Sequence, residues 1–368
     1  MDKKITIMHG MSEIAGQNFY SVRGLREIGE HAETVVYHEH PFSYPYDKCL
    51  NIDSTNKKKL PFYAVKLGVF FLAAMKKYDC FHFHFGHSIL NCTELPVYRK
   101  CGKRVFFEFH GSDLRDQERF CRISGMVFEP SEATSPKLHE RNHKICKTAD
   151  GIIVHDDELI PYLDKDCAPV YVVPLRVDIA RFEPAYPKPD AKVIRIVHAP
   201  SKRAIKGTEY VLTAFNRLKE KYRNIELILV EGKTQQEAFE IYKTADIIVD
   251  QLLVGTYGVF AIESMAMGKP VITYISDTMK ERLPAELPIV SANTQTVTEA
   301  IETLILDGEM RKNRGMAGRK YVEEYHDYKY VSYVLRDIYY GKSLPQSGRN
   351  AFDQVRRIKE QLENKADG

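Results

Sequence analysis

Two stretches carry the residue types that phosphate and sugar recognition require. The first, DIIVDQLLVGTYGVFAIESMAMGKPVITYI, runs from Asp246 to Ile275. Its apolar run ends at Asp250. A loop with Gly255, Thr256, Tyr257 and Gly258 leads into a helical pattern bearing Glu263, and Gly268-Lys269-Pro270 ends that pattern. A glycine loop opening a helix presents free amide N–H groups at the positive end of the helix dipole, which suits a phosphate. Glu263, a little over one turn in, is too deep for a phosphate and well placed to accept hydrogen bonds from sugar hydroxyls. The same glycines would also serve turn geometry alone. The second stretch, HAPSKRAIKGT, spans His198 to Thr208 and follows a strand pattern. Lys202, Arg203 and Lys206 set three cations within five residues. A guanidinium fork beside ammonium point charges suits a diphosphate. A solvated surface loop can carry the same charges. What favours binding is the position after a strand, where open α/β sheets hold ligands.

Other groups rank lower. His82, His84 and His87 lie in HFHFGH, and the first two share a strand face. No second ligand cluster is visible, so they read as packed or cleft-lining histidines, and no metal is expected. His110-Gly111-Ser112-Asp113 lacks the G-x-S-x-G elbow of a hydrolase. Ser112 and Asp113 read as caps of the helix that follows. Phe42, Tyr44 and Tyr46, within His38 to Asp47, could line an acceptor groove.

These groups depend on alternating strands and helices to position them. Apolar runs at residues 5–8, 34–37, 80–85, 104–109, 152–154 and 170–173 predict strands. Helical spacing separates them at residues 19–28, 60–77, 89–100 and through the polar stretch 112–147. The alternation implies right-handed βαβ units and a parallel sheet, and apolar strands such as GIIV fit a sheet covered on both faces. Residues 183–192, with Pro184, Pro187 and Pro189, read as a linker. The alternation then restarts, with strands at 193–197, 225–230, 247–249 and 271–275. Helices are expected at 211–222 behind a Thr208 N-cap, and at 235–243, 259–267, 297–306, 309–324 and 328–340. The reading is two doubly wound α/β domains facing each other across a cleft. Residues 1–186 form the first and 187–341 the second, whose last helix can cross back. Residues 342–368 form a tail, with Phe352, Val355, Ile358 and Leu362 on one face of a short helix that is expected to pack on the body.

Composition sets the outer limits. The chain has 368 residues, a formal net charge of +3, 44% hydrophobic and 28% charged residues. That excludes a disordered or collagen-like chain and gives no basic excess for nucleic acid. All seven Cys lie in the first half without a C-x-x-C spacing, which reads as reduced thiols in the cytoplasm. The first residues read as a strand rather than a signal peptide. The apolar helix at residues 60–75 is shorter than the ~20 residues a span needs and carries Lys66. Lys57, Lys58 and Lys59 beside it would suit a membrane surface.

The second half resembles retaining glycosyltransferases of the GT-B fold, specifically glycosyltransferase family 4. The residues that carry the likeness are Arg203, Lys206-Gly207, Tyr257-Gly258, Glu263 and Ala266-Met-Gly268-Lys-Pro270-Val271 at matching spacing. Val177-Asp178 and Phe182 match the family's ending of the first domain, and His110-Gly111 matches within it. The likeness spans residues 1–340. It implies that Arg203 and Lys206 hold the donor diphosphate, Glu263 the ribose, His110 the donor sugar, and Gly16 a place near the donor phosphates. One departure stands out. Where the family has the first Glu of its Glu-x7-Glu motif, this chain has Gly255. Asp250 either takes over that role or caps the loop.

The function implied is transfer of a hexosyl unit from a nucleotide diphosphate sugar, UDP- or GDP-linked, to a glycan or lipid-linked acceptor. Retention by front-face attack is expected, in polysaccharide or cell-envelope biosynthesis. No Asp-x-Asp metal motif is read anywhere in the chain, which supports metal independence. Arg203, Lys206 and the amides after Gly255 are expected to stabilise the leaving diphosphate without metal or other cofactor. The alternatives are a GT-B nucleotide-sugar 2-epimerase, for which no acidic and histidine set is evident, and a non-catalytic nucleotide-sugar-binding protein. The expected location is the cytoplasm, with peripheral contact at the inner face of the membrane.

Overall fold

A computed structural model describes residues 4–40, 43–53, 55–124 and 136–366. The chain divides into two units, Met1–Arg176 with Tyr328–Gly368, and Val177–Asp327.

The first unit contains seven strands: β1 (Thr6–Met11), β2 (His31–Val36), β3 (Lys48–Cys49), β4 (Cys80–His84), β5 (Arg104–Glu108), β6 (Gly151–Val154) and β7 (Val170–Val172). They form one sheet in the order β3-β2-β1-β4-β5-β6-β7, with every pair parallel. β4 and β6 are buried at every position, as expected where helices cover both faces. The helix Leu60–Lys77 begins with Pro61 in its first turn, where a missing N–H is harmless. Residues 89–94, expected to be helical, are turns. Asn91 and Cys92 have positive φ, and the helix starts only at Leu95–Lys100. No description is given for residues 125–135, inside the stretch expected to be helical.

The second unit contains β8 (Ile194–His198), β9 (Ile225–Leu229), β10 (Ile247–Val249), β11 (Val271–Thr273) and β12 (Val290–Ser291). Their order is β12-β11-β10-β8-β9, again all parallel. Ile196, Val249 and Ile272 join Val211, Leu218, Ile301 and Leu304 from flanking helices in one apolar core. Helix Thr208–Lys221 is capped by left-handed Gly207 rather than by Thr208. The Thr208 hydroxyl instead bonds His198 Nε2 at 2.9 Å.

The chain leaves the first unit at Val177, ten residues before the division expected from the prolines, and returns at Tyr328. Helix Tyr328–Tyr339 belongs to the first unit, where Tyr328 bonds Glu27 at 2.7 Å and Tyr340 bonds Glu30 at 2.9 Å. The tail also joins this unit. Its helix runs from Arg349 to Ala366 and buries Phe352 and Val355.

Candidate active site

In the second unit β8 pairs with β10, with His198 opposite Val249. The cationic stretch after His198 and the acidic residue after Val249 therefore leave neighbouring strands at the same end. The ammonium of Lys206 reaches across to donate to Asp250 Oδ1 at 2.6 Å and Gln251 Oε1 at 2.9 Å. Asp250 is buried, and its Oδ2 has no hydrogen-bond partner among the described residues. Arg203 stands in a one-turn helix, Arg203–Lys206, and forks onto exposed Glu231 at 2.8 and 2.6 Å. Both cations expected to meet a diphosphate thus hold carboxylates of the chain itself.

The glycine loop follows. A Cβ on Gly255 would lie 2.7 Å from Ser276 Cβ, and Ser276 N donates to the Gly255 carbonyl at 2.9 Å. This backbone is pressed against Ser276, so a side chain at 255 would collide with it. Thr256 is buried and its carbonyl accepts from Gln251 Nε2 at 2.5 Å. The Tyr257 hydroxyl is spent on Tyr321 and His326, both at 3.0 Å, so its side chain belongs to the core. Gly258 is the N-cap of helix Val259–Ala266, whose first amides receive no side-chain cap. A Cβ there would meet nothing within 4 Å. One turn on, the carboxyl of half-buried Glu263 makes no hydrogen bond among the described residues. Burial pushes its carboxyl up to about 8, against a weaker pull from Arg181. The Tyr242 phenol is raised first by burial and then by the Glu263 and Asp250 carboxylates, so the two acids share one neighbourhood.

Gly16 and His110 lie in the first unit. Gly16 is left-handed, with φ of 82°, and opens helix Gln17–Glu27. The amides there are already taken. The Glu13 carboxylate accepts from Asn18 N at 3.3 Å and Phe19 N at 2.9 Å, with Ile14 and Gly16 N–H groups also turned to it. Burial raises this carboxyl to about 7 against those bonds. A donor phosphate near Gly16 would meet a carboxylate already in place. Asp113, read as a helix cap, instead braces its own loop by accepting from His110 N and Gly111 N at 2.9 and 2.8 Å.

His110 is half-buried, and both its ring nitrogens are occupied. Nε2 meets His84 Nδ1 at 3.1 Å and Nδ1 meets His155 Nε2 at 3.0 Å. The contacts continue inward, from His84 Nε2 to His9 Nδ1 at 3.2 Å and from His9 Nε2 to the Tyr339 hydroxyl at 3.0 Å. That hydroxyl also meets His82 Nδ1. Glu108 sits among them, paired with the fully buried Arg176 and 3.0 Å from His82 Nε2. The sheet brings these groups together, because His9 on β1 stands opposite His82 on β4 and His84 opposite Glu108 on β5. His87 turns elsewhere, to the Ser12 hydroxyl at 2.8 Å. The sequence reading did not anticipate this buried cluster of histidines around one glutamate. Polar residues inside apolar runs were its available signal: His9, Glu108 and Arg176 each interrupt one.

Lys269, in the Gly-Lys-Pro-Val motif, was also missed. It is buried, donates to the Lys243 and Ala185 carbonyls, and burial lowers its ammonium to about 8. It ties the linker to the sheet. The sequence reading also passed over an Asp-x-Asp spacing at Asp164 and Asp166. Asp164 engages His143 at 2.7 Å and Asp166 engages Lys147.

The chain matches no protein-family model, and no curated protein matches it in sequence. Solved structures do resemble it. Sucrose-phosphate synthase from Thermosynechococcus elongatus aligns with a TM-score of 0.66 at 15% identity, over 92% of this chain and 99% of that one. HepE from Anabaena, in complex with UDP-glucose, gives 0.62 at 10% identity, over 91% and 99%. A protein from Listeria monocytogenes assigned as a UDP-N-acetylglucosamine 2-epimerase gives 0.57 at 13% identity, over 94% and 99%. The likeness shows the fold: the chain is a GT-B α/β protein.

Proposed function

We propose that this chain is a nucleotide-sugar-dependent glycosyltransferase of the retaining, family 4-like kind. It would move a hexosyl unit from a UDP- or GDP-linked donor to a glycan or lipid-linked acceptor. The observation that carries the reading is the state of Glu263. A half-buried carboxyl without a hydrogen bond, one turn into an uncapped helix, stands in the neighbourhood of Lys206 and Asp250. Vicinal ribose hydroxyls would satisfy it, and the helix amides with Lys206 and Arg203 would take the diphosphate. The complex of HepE with UDP-glucose supports a donor of this class. In the reaction, these cations and amides would stabilise charge growing on the leaving diphosphate, without metal. Asp250, held by Lys206, would position that cation rather than replace the missing acid.

A second reading is a 2-epimerase, favoured by the histidine, tyrosine and glutamate groups around His110, which supply proton-transferring side chains. Incubation with UDP- and GDP-sugars, followed by NMR of the products, separates the readings. A transferase releases nucleoside diphosphate and keeps the anomeric configuration, an epimerase inverts C2, and a binding protein does neither.

We further infer peripheral attachment to an anionic membrane surface in the cytoplasm, in line with a role in cell-envelope polysaccharide synthesis. Among the described residues no helix is long and apolar enough to cross a membrane. Helix Leu60–Lys77 exposes Phe62, Val65, Val69 and Leu72 at 63–67%, directly after Lys57, Lys58 and Lys59. An apolar stripe beside clustered lysines suits an interfacial helix.

A further inference from the structure

The groups leading to His110 form one continuous chain with two ends. Its order is His82, Tyr339, His9, His84, His110, His155, joined by five hydrogen-bonding contacts. At one end His82 Nε2 lies 3.0 Å from Glu108 Oε2, and at the other His155 Nδ1 lies 3.5 Å from Glu108 Oε1. Neither end nitrogen completes a well-aligned hydrogen bond among the described residues, although His82 leans on Glu108 and His155 on the Val173 backbone, both acceptors. Every member except His110 is buried.

Protons can be counted along this chain. A neutral imidazole or phenol brings one N–H or O–H. Six neutral members therefore bring six protons. The five internal contacts need five. Each end nitrogen also faces a carboxylate oxygen that can only accept, so seven are needed in all. Glu108 stays ionised, because Arg176 is paired with it and its carboxyl is held well below the usual range despite burial. Burial holds the histidines below their ordinary value, so they are neutral. However the tautomers are arranged, one contact lacks a proton and sets two lone pairs face to face. A seventh proton completes the chain, and neutral tautomers let the gap move from one contact to the next.

We propose that this chain is a closed proton relay: it takes up and releases one shared proton, which moves along its contacts and sets the orientation of the His110 ring. His9, His82, His84, His155 and Tyr339 are its positioning residues. The proposal rests on His110 being a site residue: both its ring nitrogens are held inside the chain, so the shared proton governs how the ring is presented and does not pass to a substrate. Other charged groups face the relay. Arg176 pairs with Glu108, the Asp113 carboxylate lies on the His110 backbone N–H, Arg115 acts on His155, and Arg104 donates to the Tyr339 carbonyl. Donor atoms of His9, His82 and His84 lie within 4.8 Å of one another. The fixed guanidinium of Arg176 and the shortage of one proton favour a single proton over a divalent ion there.

The test is histidine side-chain ¹⁵N NMR of the ligand-free full chain across pH, which depends on no donor sugar. Wild type should show one shared protonation step moving the signals of His9, His82, His84, His110 and His155 together. Tyr339→Phe removes one proton and two contacts, so the remaining neutral histidines satisfy every contact. His155→Phe balances the count from the other end and serves if the first variant does not fold. Either variant should lose the shared step or shift it at least tenfold in proton affinity, while His87 is unchanged. Independent titration of the five histidines, an unshifted step in the variants, or stoichiometric zinc in the purified protein would overturn the proposal. Turnover of UDP- and GDP-sugars by wild type tests the transferase reading separately.

Discussion

The ammonium of Lys206 lies 2.6 Å from Asp250 Oδ1, and Asp250 is only 1% exposed. A cation expected to face a ligand is therefore also the counter-charge of a buried acid of the chain. The two roles separate on mutation.

Lys206→Ala leaves the Asp250 carboxylate buried and unpaired, which costs on the order of 3–5 kcal/mol. The double change Lys206→Ala with Asp250→Asn should recover most of that stability and still bind nucleoside diphosphate poorly. Arg203→Ala breaks only exposed pairs with Glu231 and Glu209, so the melting temperature should hold while diphosphate affinity falls about tenfold or more. Denaturant titration and calorimetric binding of UDP and GDP check both outcomes. Undiminished binding by Arg203→Ala would remove that residue from the site.

Glu263 carries a stability cost of its own. Its carboxyl is raised from 4.5 to about 8, so the folded state binds the proton more tightly than the unfolded chain. The associated stability is complete below about pH 4.5 and is lost as pH rises to 8. Glu263→Gln should therefore melt a few °C higher than wild type at pH 8. Binding of the nucleotide should fall in the same variant. Melting curves at pH 5 and pH 8, each with and without UDP, decide it.

Glu13 gives a narrower window. Burial raises it from 4.5 to about 7, so its share of stability declines between those values as pH climbs. Glu13→Gln should flatten that part of the stability–pH curve without changing donor affinity. A slope identical to wild type would show that the carboxylate at the helix end is not strained by burial.

Membrane attachment should depend on both halves of the surface. Vesicles containing anionic lipid should pull down wild type, and neutral vesicles should not. Val65→Asp with Leu72→Asp should abolish co-sedimentation and leave the fold intact, because both side chains are exposed. Equal binding by that variant would rule out the helix.

The alternation of apolar strands and helical spacing was readable because it is local, and helices Leu60–Lys77 and Gln235–Lys243 fall where their periodicity placed them. The placement of Gly258 at the start of a short helix and of Glu263 within it was readable for the same reason. The histidine relay was not. His9 meets His84, seventy-five residues on, only through the register of β1 against β4, and register is absent from a linear pattern. Thr208 was misjudged because Gly207 took the cap in a left-handed turn and freed its hydroxyl for His198.

The contact between Gly255 and Ser276 bears on how this chain can change over time. A carboxylate cannot be introduced at position 255 in one step, because the side chain would enter space that Ser276 fills. The two positions form an epistatic pair, in which glycine at 276 would have to come first. Packing at 276 therefore decides which residues position 255 accepts before any demand of chemistry is met.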